Sequence, residues 1–330
     1  MADTLRWGIL GAGRIARKFV QGARQADGCE PVAIGSRTQS KADAFGEETG
    51  LPLRFGSYEA LVGCDEVDAV YVATPHPMHH RDALLAIGAG KHVLVEKAFT
   101  ATAQGAREVI AAARKTGVFC MEAMWSRFLP PFTHLRKLIA EGNLGEVRQV
   151  HAHFGFRCEW DSSSRLLNPE LGGGALLDVG IYPLSLASMV LGTPAEICST
   201  GHIGQTGVDE QTAMLLGYAS GAAAVLSCAV RTNTPKTVTV CGTEGMVHIE
   251  NAWWGDRGLT FTPAGGEAQS MPLPREGNGF DCEIEHVAAR IRDGHTESDV
   301  MPLDETLAIL ETADTIRGQI GLQYPFETIG

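Results

Sequence analysis

This sequence predicts an α/β chain: an N-terminal doubly wound parallel sheet, followed by an α+β domain with a large, mostly antiparallel open sheet. Three observations carry that expectation. Over roughly the first 120 residues, short apolar runs alternate with amphipathic helical segments. A glycine-rich turn closes the first of those runs. From about residue 195 the pattern changes to successive strand candidates joined by tight turns.

Taken in order, RWGIL (6–10) is a strand ended by GAGRIA, and residues 14–26 read as a helix. PVAIGS (31–36) is a second strand, before a helix over 41–48. DAVYVAT (68–74) precedes a helix over about 78–89, HVLVE (92–96) precedes one over 102–116, and VFCME (118–122) ends the unit. Continuous apolar strands of this kind are buried on both faces of a parallel sheet, and right-handed crossovers wind it doubly. The expected domains are therefore 1–122 and 123–330. In the second, a helix covers 130–141, and EVRQVHAHFGF (146–156) alternates as a strand with one exposed face. Another helix follows Tyr182. EICSTGHI, QTAMLLGY, AAAVLSCAV, KTVTVCGT, GMVHIE and LTFTP are then strands, with ASGA, GTEG and PAGG as turns. Helices over 280–292 and 304–318 close the chain.

The bulk numbers narrow the function classes. The 330 residues are 44% hydrophobic and 20% charged, with a net charge of −12 and no basic block, which argues against nucleic acid as a partner. Eight cysteines lie scattered without C-x-x-C spacing or a histidine cluster, so no metal is expected and the thiols read as buried and free, as in a reducing cytoplasm. The N-terminus lacks a secretory pattern, and no apolar run approaches the ~20 residues of a membrane span. A cytoplasmic protein is the expectation.

GAGRIA places Gly11, Gly13 and Ala16 as G-x-G-x-x-A between a strand and a helix. Gly11 permits the tight turn, Gly13 lets backbone approach a pyrophosphate, and the helix start, with Arg14 and Ile15, offers N–H groups to phosphate. A dinucleotide cofactor follows. Where an NAD site carries an acid at the end of the second strand, this chain has Ser36 and Arg37, with Lys41 one turn on. Arginine suits a 2′-phosphate, so NADP is favoured over NAD; the other reading makes Arg37 and Lys41 solvated charges at a helix start.

Ligands in such sheets lie beyond the carboxyl ends of the strands. Thr74, Pro75 and His76, with His79 a turn further, follow one strand; Glu96 and Lys97 follow another. Lys97 is expected at the nicotinamide end, where an ammonium orients a carbinol, polarises a carbonyl and joins in proton transfer. Trp125 stacks on substrate or nicotinamide, or belongs to an interdomain core. Arg127 binds substrate or bridges the domains. Phe154, Trp253, Trp254 and Phe280 are candidates for an apolar pocket wall. The three glycines of GGGALLD (172–178) mark either a close backbone approach or a flexible lead-in. The absence of G-x-S-x-G and H-E-x-x-H argues against a hydrolase.

GAGRIA, ATPHPMHH, GKHVLVEKAFT and GGGALLDVGIYPL together resemble the Gfo/Idh/MocA oxidoreductase family over nearly the whole chain. The resemblance implies a Rossmann domain and an NADP-dependent oxidoreductase. Its expected substrate is a vicinal diol or sugar: a trans-dihydrodiol, an aldose or a cyclic polyol. The family's Glu-Lys-Pro is Glu96-Lys97-Ala98 here, which implies that Lys97 is the catalytic lysine. Its D-x-G-x-H/Y maps to Asp178 and Tyr182. Tyr182 then takes or relays the proton at the reacting oxygen beside Lys97, while Asp178 orients the substrate or the lysine. Trp125, Arg127, Phe154 and Trp254 join them as substrate-binding candidates. With alanine in place of proline, the Lys97–Ala98 bond is expected to be trans, since a cis bond there costs about 2.5–4 kcal/mol. The resemblance also implies a homo-oligomer, dimer or tetramer, through the second-domain sheet. A non-catalytic NADP-binding regulator on the same fold is the competing reading, which retention of both Lys97 and Tyr182 disfavours.

Overall fold

The first apolar run forms β1 (Leu5–Leu10) in the computed structural model, which describes residues 4–254 and 258–327. The chain continues through α1 (Arg14–Gln25), β2 (Cys29–Gly35), α2 (Gln39–Thr49), β3 (Leu53–Phe55), α3 (Tyr58–Val62), β4 (Ala69–Val72) and α4 (His76–Gly88). Then come β5 (His92–Glu96), α5 (Ala103–Thr116) and β6 (Cys120–Ala123). The six strands are all parallel, in the order β3-β2-β1-β4-β5-β6. The order reverses between β1 and β4, which sets the site of ligand binding at their carboxyl ends. Trp7, Phe19 and Tyr71 form the aromatic centre of this core; Phe19 lies flat on Tyr71 with ring centroids 3.8 Å apart.

The second sheet is built from β7 (Val147–Gly155), β8 (Glu196–Ile203), β9 (Asp209–Gly217), β10 (Ala223–Ala229), β11 (Val238–Gly242), β12 (Gly245–Ile249), β13 (Leu259–Pro263) and β14 (Gln269–Met271). Its order is β14-β13-β12-β11-β7-β10-β9-β8. Only β7 and β10 pair in parallel; the other neighbours are antiparallel. Preceding β7 is α6 (Pro130–Ala140), and between β7 and β8 lie a π-helical turn over Leu176–Gly180 and α7 (Ile181–Leu191). The chain ends with α8 (Phe280–Arg292) and α9 (Leu303–Ile320).

The predicted elements are present, with three additions: β3, α3 and β14. Each is three to five residues long, too short for a hydrophobic period to register. The expected boundary at 122/123 differs from the observed division. One compact unit runs to Phe128 and resumes over Glu276–Leu307; the other covers Leu129–Arg275 and the chain from Ala308. The reason is tertiary: α8 packs against α1, with the Asn278 amide donating to the Lys18 carbonyl at 2.8 Å. Periodicity shows that a helix has an apolar face, not which sheet that face covers.

The apolar stretch Pro169–Leu191 is long enough to cross a membrane by length and composition, but most of it is buried inside the protein, as in a core helix. One bulk expectation changes. All eight cysteines are free, but only Cys120 and Cys228 are buried, and Cys198 is exposed because β8 is an edge strand of the open sheet.

Candidate functional site

In the first unit, the carboxyl ends of β1, β2, β4 and β5 lie around the reversal of sheet order between β1 and β4. After β1, Gly11 adopts φ +103°, and a Cβ there would lie 2.8 Å from the Ala73 carbonyl oxygen. Glycine is therefore required by the fold at this position. Gly13 differs: a Cβ would meet nothing within 4 Å. It opens α1, whose first turn has no side-chain cap and no acidic residue, whereas Thr102 caps α5 by accepting from Gly105 N. The open space over Gly13 and the uncapped N–H groups fit a dinucleotide pyrophosphate. Ile15 lines the same turn half-buried, and Arg14 is exposed. At the end of β2, Ser36 is buried, while Arg37 and Lys41 are exposed.

The loop after β4 buries Thr74 and His76 and leaves Pro75 exposed. His79, 1% exposed, sets Nδ1 2.8 Å from the Ala98 carbonyl and Nε2 2.7 Å from the Thr74 carbonyl. Burial lowers the ring's pKa, although both carbonyls oppose this. The ring braces the end of β4 against the turn after β5. Lys97, half-buried, begins that turn. The Lys97–Ala98 peptide is cis, which corrects the expectation of a trans bond. Ala98 is fully buried with its carbonyl engaged by His79, so tertiary contacts set the bond rather than the residue's own preference.

Glu96 is joined in the first unit by two buried acids that the sequence pattern did not single out, Glu122 and Glu283. The Tyr71 hydroxyl donates to Glu96 Oε1. Glu122, fully buried at the end of β6, accepts from Phe99 N at 3.0 Å and so fixes the turn two residues past the lysine. Burial pushes Glu122 up to about 7, against the Phe99 N–H and the charge of Arg127. Glu283 of α8 is also fully buried, neither oxygen has a hydrogen-bond partner, and burial and Glu96 push its pKa well up. VFCME ends in a glutamate just as HVLVE does, a parallel that could have marked Glu122. Nothing local marks Glu283.

Glu122 carries a pH prediction. Its folded pKa of about 7 exceeds the ordinary 4.5, so its contribution to stability is full below pH 4.5 and lost as pH rises toward 7. Glu122→Gln keeps an acceptor for Phe99 N and removes the buried charge. Urea unfolding is expected to show the variant gaining on the wild type between pH 5 and pH 8, by up to about 3 kcal/mol. A gap that does not open with pH would show that Glu122 is not the group responsible.

Trp125 stacks on Phe280, centroids 5.4 Å apart and 13° between planes, within the first unit. Arg127 is 2% exposed; it donates to Glu305 Oε1 at 2.6 Å and to the Val300 carbonyl at 3.1 Å. It ties the 298–305 segment to the end of the sheet.

In the second unit, Asp178 sits in the π-helical turn and Tyr182 in the first turn of α7, both buried. A π-turn inserts one residue and re-aims the side chains around it, a device common at functional sites. Arg165, unnoticed in the sequence, donates to Asp178 Oδ1 at 2.9 Å. Tyr182 stands among aromatic rings: Phe154 at 5.2 Å and Trp253 at 6.2 Å between centroids. Trp254 stacks on Phe154 at 3.6 Å between centroids, with the ring planes nearly parallel. Trp253 is anchored by its indole N–H on the His153 carbonyl. The structure thus groups Phe154, Asp178, Tyr182 and Trp254 in one unit, and the glycine turn, Thr74, His76, Glu96 and Lys97 in the other.

The chain is similar to known oxidoreductases. A family model described as an oxidoreductase family with an NAD-binding Rossmann fold matches residues 5–124, and the GFO/IDH/MocA C-terminal domain matches 132–248. The trans-1,2-dihydrobenzene-1,2-diol dehydrogenase of Mus musculus is 37% identical over 333 residues, covering 97% of this chain and 98% of its own. An aldose-aldose oxidoreductase from Caulobacter crescentus, solved with glycerol, superposes with TM-score 0.86 and 29% identity over 96% of this chain and 97% of that one. A 3-ketoreductase from Actinomadura kijaniata, solved with TDP-benzene and NADP, gives TM-score 0.83 and 26% identity over 96% and 98%.

Proposed function

We propose, for a chain that belongs to the GFO/IDH/MocA oxidoreductase family, that the reaction is NADP-dependent hydride transfer to or from a carbinol carbon of a vicinal diol or sugar. The observation that carries this is the delivery of Lys97 by β5 to the same sheet edge as the open glycine turn after β1. The bound nicotinamide supplies the hydride acceptor or donor. Lys97 places positive charge at the reacting oxygen and holds its orientation. Tyr182 takes the proton from the alcohol, or returns it to the carbonyl. Asp178, held by Arg165, orients a neighbouring substrate hydroxyl. Phe154 and Trp254 offer a flat apolar wall to the substrate ring. The relatives' substrates, a dihydrodiol and aldoses, share adjacent hydroxyls, which supports the substrate class.

Arg37 and Lys41, exposed at the end of β2 with no acid in the ribose position, support NADP as the cofactor. The test follows absorbance at 340 nm with NADP⁺ and NAD⁺ against trans-dihydrodiols, xylose, glucose, inositols and 1,5-anhydro sugars. Turnover with NADP⁺ is expected, and Arg37→Asp should lower kcat/KM for NADP⁺ by about 100-fold while sparing NAD⁺. NADP binding without turnover on any of these substrates would favour a sensor.

A homo-oligomer through the second sheet belongs to the same proposal. Leu215, Val225 and Met246 are exposed on strands of that sheet, with Leu215 and Val225 directly paired across β9 and β10. Sedimentation velocity should give a dimer or tetramer for the wild type, and Leu215→Lys with Val225→Lys should shift it to monomer; a monomeric wild type would end this part of the reading.

A further inference from the structure

The three glycines before Asp178 have a structural explanation that leads to one further residue. A Cβ on Gly173 would lie 2.8–2.9 Å from the carbonyl oxygens of Arg165, Leu166 and Asn168. Gly174 has φ +115°, and a Cβ there would lie 2.2 Å from Asp209 Oδ1. The close approach is therefore to the protein itself, and the segment is no flexible lead-in. Hydrogen bonds hold it from three sides. Gly174 N donates to the Leu166 carbonyl at 2.9 Å, the Tyr324 hydroxyl donates to the Gly173 carbonyl at 2.8 Å, and Leu176 N donates to Asp209 Oδ2 at 2.8 Å.

Asp209 is the centre of this arrangement. It opens β9 and is fully buried. Its Oδ2 also accepts from Thr212 Oγ1 at 3.0 Å, which fixes the carboxylate from its own strand. The N–H it binds is that of Leu176, the first residue of the π-helical turn, which has no side-chain cap from its own N-cap residue, Ala175. Asp209 thus does from a distant strand what an N-cap does locally. Asp178 follows two residues later and Tyr182 six. A shift of the turn's start rotates both.

We propose that Asp209 is a positioning residue of the reaction, a remote cap that sets the aim of Asp178 and Tyr182. This rests on the catalytic reading of those two side chains given above. Buried carboxylates that only stabilise a fold are poor stabilisers, since burial raises their pKa, here to about 7. The complementary glycine at 174 and the bond to the start of the turn point to geometry as the purpose.

The test compares the wild type with Asp209→Asn, which is nearly isosteric, and with Tyr324→Phe, which removes the other side-chain tie and keeps the ring. Two measurements are made on the full-length protein: amide hydrogen exchange, and steady-state kinetics with NADP⁺. Asp209→Asn is expected to raise exchange over residues 172–182 by about tenfold, with residues 223–229 of β10 unchanged. It is expected to lower kcat by about tenfold or more with KM for NADP⁺ unchanged. Tyr324→Phe should loosen the same segment to a smaller degree, so a failure of the first variant to fold leaves the proposal open to refutation by the second. Unchanged exchange over 172–182 in the folded variants would overturn the proposal, as would a loosened segment with unchanged kcat. A wild type inactive on every substrate, with local loosening in the variants, would sink the catalytic reading while retaining the clamp.

Discussion

Lys97→Met is expected to lower kcat by about 10³-fold or more, while NADP binds within about threefold of the wild-type affinity. The asymmetry follows from the placement of the residue. Lys97 is half-buried at the end of β5, one residue after Glu96, which takes the Tyr71 hydroxyl. The glycine turn and the end of β2, to which the proposed function assigns the pyrophosphate and the ribose, are formed by other segments of the chain. Methionine preserves the length and apolar stem of the side chain and deletes only the ammonium. A 10³-fold loss corresponds to about 4 kcal/mol of transition-state stabilisation, a reasonable share for one charge beside a developing alkoxide in a partly desolvated site. Cofactor titration by fluorescence and single-turnover kinetics separate the two effects. Activity within tenfold of wild type would remove Lys97 from the chemistry.

Tyr182→Phe is the second large effect: a fall in kcat of about 10²–10³-fold with thermal stability nearly unchanged. The phenyl ring keeps its contacts with Phe154 and Trp253, so the packing of α7 on the aromatic cluster survives. Tyr182→Ala, in contrast, empties that place and is expected to cost about 3–5 kcal/mol of stability. Pairing the two substitutions separates proton transfer from packing: a merely structural tyrosine would tolerate phenylalanine in both assays. Retained turnover in Tyr182→Phe would reassign the proton to another group.

Much of the fold was readable because its signals are local. A strand buried on both faces is a continuous apolar run, and the turn after β1 needs glycine where φ is +103°. Lys97, Asp178 and Tyr182 stood out because each lies in a short contiguous motif, Glu96-Lys97 in one case and Asp178 to Tyr182 in the other. Arg165 and Glu283 did not. Arg165 reaches Asp178 from 13 residues away, and its own surroundings read as a polar loop. Glu283 lies in the first turn of α8, where a carboxylate ordinarily serves the helix dipole in water; its full burial is decided by packing.

The sequence by itself determined the two sheets, the dinucleotide turn and the residue types at the strand ends, since each follows from periodicity or from a backbone conformation that few residues adopt. The tertiary structure alone decided that α8 returns to the first unit, that the bond after Lys97 is cis, that Glu96, Glu122 and Glu283 are buried, and that Asp209 caps a turn 33 residues before it. Those features depend on desolvation and on contacts between distant segments, and a residue's burial is a property of what folds against it, which no local pattern carries.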